Sequence, residues 1–215
     1  MESYRIARAG GWTALIAGIF GAAAAVFLIF VPPAAPEDVF SYPLSAEGHV
    51  TAQVVFGVHH LLAAFSLWAF WRAGLAGSGR FAAVSGIASA VVFALFGVWE
   101  VVVAAFANEP FPSPTTDAID GVYGTLSLLT ALTLVVFGIA AVRARVLGPV
   151  SRWSVFVFGA FLIVPGLPLL FISFTIGRVV IAVWLLILAW VGLVMLRWAT
   201  DARSAHNVAA HASSA

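Results

Sequence analysis

Six apolar stretches of about twenty residues each, divided by short polar segments, decide what this chain can fold into. They fall at about 10–31, 50–71, 81–107, 121–142, 153–173 and 178–198. At 1.5 Å of rise per residue, a helix of that length spans roughly 30–35 Å, enough to cross a bilayer core with some tilt. The chain is 63% hydrophobic and 9% charged, whereas soluble domains carry about 25% charge. The sequence therefore predicts an all-α, polytopic membrane bundle of six transmembrane helices. Residues 1–200 are expected to form a single transmembrane helical domain, and 201–215 a disordered cytoplasmic tail of small polar residues. The first stretch follows Arg5 and Arg8, as a secretory signal would, and Ala22–Ala25 offers small residues for cleavage. The apolar run continues unbroken through Val31, which favours an uncleaved first helix.

The charges alternate along the chain. There is no lysine, and nine of the 10 basic residues fall at one end of the expected helices: Arg5, Arg8, Arg72, Arg80, Arg143, Arg145, Arg152, Arg197 and Arg203. Only Arg178 falls at the other end, with Glu37, Asp38, Glu47, Glu109, Asp117 and Asp120. The positive-inside rule then puts both termini in the cytoplasm and the protein in the cell membrane. Trp12, Trp68, Trp71, Trp153 and Trp198 gather at the arginine ends, as an interfacial aromatic belt would. Two Pro-rich acidic loops are expected at 32–49 and 108–120. Ser45 precedes the second stretch, with a hydroxyl able to cap free N–H groups there. Small residues at Gly18/Ala22, Gly21/Ala25 and Ala82, Gly86 and Ala90 would let helices approach closely.

Inside these stretches a few polar residues stand out. At 100° per residue, His49, Gln53, Gly57 and His60 share one helix face, while His59 points about 100° away. Glu100 lies in the third stretch about 10 Å below its outer end, a depth similar to that of the two adjacent histidines. A short linker makes helices 2 and 3 antiparallel neighbours, which brings His59 or His60 within reach of Glu100. Arg178 is an alternative partner for Glu100 from the outer end of helix 6. Ser89 extends the Glu100 face inward. Tyr123, Ser127 and Thr130 line one face of helix 4, where hydroxyls commonly bond their own helix. Pro165 and Pro168 cannot donate to the carbonyls of Phe161 and Val164, so a kink is expected in helix 5. Two readings of the polar set follow. It is either a proton relay or ligand cavity open to the outside, or a set of hydrogen bonds that lock the helices together.

Several chemistries lack their residues. The chain has no cysteine, hence no disulfide and no thiolate metal site. It carries no phosphate-cradling loop, no zinc-protease motif and no nucleophile elbow. A haem needs ligands on facing helices, and the only intramembrane histidines are adjacent on one helix. No metal, no cofactor and no nucleic-acid partner is therefore expected. The bilayer is the expected surrounding, with a protein partner or a second copy left open. The layout, with the stretch from Ser41 to His60, resembles small six-helix membrane proteins of unassigned function from high-GC Gram-positive bacteria. That resemblance implies the six-helix layout and assigns no residue a role. The expected function is a non-catalytic membrane component: a subunit, sensor or scaffold. The alternatives are a small transporter with an outward-facing His/Gln/Glu cavity, and a membrane enzyme acting on a lipid or quinone with His60 and Glu100 as base and acid.

Overall fold

The computed structural model describes residues 2–170 and 172–212, with side chains to residue 205. Among the described residues, 6 helices are long and apolar enough to cross a membrane. They are α1 (Glu2–Ile29), α2 (Ala46–Arg72), α3 (Arg80–Val103, prolonged by a 3-10 turn, Ala104–Phe106), α4 (Pro114–Ala144), α5 (Ser151–Leu170) and α6 (Phe174–Ala212). The protein is a multi-pass membrane helix bundle.

Two helix starts are written in the side chains that cap them. Ser45 Oγ accepts from Gly48 N at 3.1 Å, so α2 begins at Ala46. At α4, Ser113 Oγ accepts from Thr116 N at 3.2 Å, and Thr116 Oγ1 accepts from Ser113 N at 2.8 Å. Pro114 follows at the first helical position, where a missing N–H costs nothing. The expected loop over 108–120 is thus half helix. Hydropathy misses this turn because residues 114–120 are polar, whereas the cap satisfies the backbone there.

α1 and α6 are longer than their apolar stretches. α1 starts at Glu2 rather than at 10, and α6 runs to Ala212, past residue 201 where the sequence places the start of a tail; residues 213–215 lie outside the described residues. These two helices share the most extensive contact in the bundle. Glycines make it close: a Cβ at Gly18 would lie 2.6 Å from the Leu185 carbonyl, and one at Gly192 would lie 2.6 Å from Leu15 N. Each helix packs on the next in sequence, and α6 closes onto α1. The result is a ring of six helices around a shared interior.

α5 is interrupted. After Ser154–Phe161, residues Leu162–Gly166 form a π-turn, and Leu167–Leu170 finish the helix. Pro165 has no N–H to give the carbonyl four residues back. The ladder widens instead, and Leu167 N donates to Leu162 O. Pro168 sits in the last short turn. At the acidic end, the two loops bond to each other. Phe40 N donates to Glu109 O at 2.9 Å, Ser41 N to Ala107 O at 3.1 Å and Phe111 N to Asp38 O at 2.8 Å. They form one cap over that end of the ring.

Candidate functional site

The site begins with two glycines. α2 and α3 touch backbone to backbone at Gly57 and Gly97: a Cβ at Gly97 would lie 2.8 Å from the Gly57 carbonyl oxygen, and one at Gly57 would lie 3.0 Å from that of Gly97. One turn from each glycine, His60 and Glu100 project into the ring interior. Both are buried, at 9% and 6% exposure. His60 Nδ1 and Glu100 Oε1 are 3.8 Å apart, and among the described residues theirs is the one acid–base pair within 4.0 Å. The depth match and the shared face thus bring His60, not His59, to Glu100.

That distance is too long for a hydrogen bond. The His60 Nδ1 proton goes to the Phe56 carbonyl of its own helix, at 2.8 Å. A carbonyl only accepts, so a neutral ring has a bare Nε2. Phe96 stacks flat on the imidazole, with ring centroids 4.5 Å apart. Glu100 Oε2 accepts from the Tyr123 hydroxyl at 2.7 Å, a bond from α3 to α4. Glu100 Oε1 has no hydrogen-bond donor among the described residues.

Other polar residues divide by what they bind. His59 Nε2 donates to the Ala17 carbonyl at 3.1 Å and ties α2 to α1. Trp184 Nε1 donates to the Phe158 carbonyl at 2.9 Å and ties α6 to α5. These are locks between helices. Gln53 instead contacts His49 on its own helix, Nε2 to Nε2, at 3.5 Å. Its amide oxygen Oε1 is buried without a hydrogen-bond partner among the described residues. Ser89 bonds the Ser85 carbonyl at 2.9 Å, so its hydroxyl is spent on α3.

His49, Gln53, His60, Glu100, Tyr123 and Arg178 all border one cavity of ≈ 380 Å³ in the acidic half of the ring. His59 borders it as well, although the helix wheel turns it away; its ring sits at right angles to His60, 5.3 Å between centroids. Phe40 to Leu44 of the loop cap close the cavity at the acidic end, and Leu162 and Leu170 of α5 form part of its wall. Arg178 does not pair with Glu100 within 4.0 Å. Its guanidinium lies over the Phe174 ring, 4.9 Å from the centroid. A volume near 400 Å³ lies within the range common for small-molecule sites, about 300–1,000 Å³, and the wall mixes aromatic and aliphatic side chains with polar ones.

The sequence reading missed Tyr123 as the partner of Glu100, and missed the wall residues Phe96 and Trp184. The first of these had a signal. Starting α4 at 121 leaves Tyr123 at the membrane edge; the Ser113–Thr116 cap starts it at Pro114 and sinks Tyr123 by about 10 Å. Ser127 lines the cavity, and among the described residues no base is hydrogen-bonded to its hydroxyl. No cluster of three His, Asp or Glu side chains placed to hold a metal occurs among the described residues. No family model, no curated protein and no solved structure matches this chain.

Proposed function

We propose that the protein is a non-catalytic component of the cell membrane, of the sensor type, that holds a small amphiphile in the ring cavity. Both termini lie in the cytoplasm on this reading, and the cavity lies in the outer half of the bundle, beneath the loop cap. The side is supported by nine arginines at one end of the helices against one, Arg178, at the other. The ligand is supported by one observation: the polar atoms of the cavity are left unspent. Glu100 Oε1 and His60 Nε2 have no hydrogen-bond partner among the described residues and belong to side chains that border a cavity of ≈ 380 Å³, and Gln53, which borders it too, has its amide oxygen buried unpartnered. Residues kept only to join helices spend their hydrogen bonds across helices, as His59 and Trp184 do. Three acceptors beside aromatic walls suit a molecule with N–H or O–H donors on an apolar body, its acceptor end toward Arg178.

Native mass spectrometry of the protein released from its own membranes tests this. A small adduct is expected on the wild type and is lost from the Glu100→Gln/His60→Ala double variant, with helicity unchanged. A wild type that carries no adduct, or a double variant that keeps it, overturns the proposal.

Permeation is the second reading, and the break in α5 favours it. Leu162, which opens the π-turn, and Leu170, which ends the short turn after it, both form cavity wall, and discontinuous helices line many transporter sites. Flux into liposomes at two pH values decides it. PH-dependent flux that Glu100→Gln leaves unchanged removes the proton-linked form of this reading.

A further inference from the structure

The arginine end of the molecule carries a second arrangement that the cavity does not use. Tyr4, Arg8 and Trp12 lie four residues apart on α1 and form one stripe, since i and i+4 share a face. Arg203 on α6 faces the same stripe. Together these four residues border two adjoining hollows of ≈ 440 and ≈ 500 Å³, and Arg5 joins the first. Among the described residues, no acidic side chain lines either hollow. The acids nearby in sequence are Glu2 on α1 and Asp201 on α6, and neither pairs with an arginine within 4.0 Å. Arg5, Arg8 and Arg203 are all solvent-exposed and border one groove, and none of them is paired with an acid within 4.0 Å among the described residues.

What lies next along α1 says what the groove is for. Trp12, one turn beyond Arg8, is 49% exposed, as a residue at the headgroup level of a bilayer would be. The same side of α1 continues with Ile16, Ile19 and Phe20, exposed at 57%, 54% and 51%. A basic hollow, an interfacial aromatic ring and an open apolar track follow one another along the membrane normal. That order matches a phospholipid from headgroup to acyl chain. Guanidinium forks bind phosphate oxygens in pairs, and basic pockets between membrane helices take anionic headgroups. We propose that the groove between the start of α1 and the end of α6 is a binding site for an anionic phospholipid. Arg8 and Arg203 hold the phosphodiester, and the acyl chain lies along Trp12, Ile16 and Phe20.

The test uses the full chain in a neutral detergent, with phosphatidylglycerol and phosphatidylcholine of identical acyl chains as probes. Bound lipid is counted by native mass spectrometry. Phosphatidylglycerol is expected to bind about tenfold or more tightly than phosphatidylcholine. The Arg8→Gln/Arg203→Gln variant is expected to lose about thirty-fold of that affinity, at roughly one favourable charge contact per arginine. Arg80→Gln/Arg145→Gln, which removes two arginines from the same end but outside the groove, keeps it. If the groove variant fails to fold, a salt titration of the wild type stands in: added sodium chloride weakens phosphatidylglycerol and leaves phosphatidylcholine unchanged. Equal binding of the two lipids, an unaffected groove variant, an equal loss in the Arg80/Arg145 variant or a salt-independent preference overturns the proposal. So does displacement of the lipid by inorganic phosphate at matching concentration, which marks a site for a free anion instead.

Discussion

Gly97→Ala probes the contact on which the His60–Glu100 pair depends. The added Cβ would lie 2.8 Å from the Gly57 carbonyl oxygen and 3.3 Å from His60 Cβ. An ordinary contact starts near 3.4 Å, so α2 and α3 must part by about 0.6 Å, and the obstacle is backbone that cannot rotate away. Overpacking of this kind costs about 1–3 kcal/mol. Replacing a helical glycine by alanine also gains about 0.5–1 kcal/mol. Gly124→Ala on α4 isolates that gain, because a Cβ there meets nothing within 4 Å. The two variants share the propensity term, so the gap between them measures the clash alone. Reversible unfolding in mixed micelles, followed by far-UV circular dichroism, gives both values. Gly124→Ala is expected to be stabilised by about 0.5–1 kcal/mol, and Gly97→Ala to fall about 1–3 kcal/mol below it. Equal shifts of the same sign would show that the helices do not touch at these glycines, and the derived placement of His60 against Glu100 would fall with them.

The division between locks and site residues makes further predictions. His59→Ala removes a bond from α2 to α1 and should cost about 0.5–2 kcal/mol in the same unfolding assay; unchanged stability would refute its role as a lock. Tyr123→Phe takes the donor from Glu100 Oε2 and should shift a carboxyl infrared band that Glu100→Gln abolishes; no shift would mean that the two side chains do not meet. Ser113→Ala should lose about 1 kcal/mol and speed hydrogen exchange at Thr116 and Asp117 while sparing the rest of α4.

Spans and charge ends were legible because hydrocarbon imposes them. A bilayer sets helix length, and the cost of moving arginine across it sorts the loops. The His60–Glu100 pairing was legible for a similar reason: depth and face are both one-helix properties, and a short linker supplies the neighbour. Tyr123, Phe96 and Trp184 were not. The lateral order of helices is absent from a hydropathy pattern, so walls contributed by α4 and α6 could not be named. Arg178 shows the limit at the scale of one side chain. Its end of the membrane was readable, but the long chain rests on Phe174, a choice made by local packing that no depth argument contains. The extended ends of α1 and α6 were hidden in the same way. Their polar residues read as tails until the partner helix beside them is known.

The ring joins the first helix to the last. α1 enters the membrane when α6 has not yet been synthesised, so its glycine face at Gly11 and Gly18 spends that interval against lipid or a helper protein. Close backbone packing gains nothing until Leu185, Ala189 and Gly192 arrive. Until then the interior is a groove with one side missing, lacking Arg178 and Trp184. Completion of the chain, rather than folding of any one hairpin, is the event that creates the cavity. A chain cut short before α6 would lack Arg178, Ile181, Trp184 and Leu185, and would hold an open groove where the full chain has a cavity.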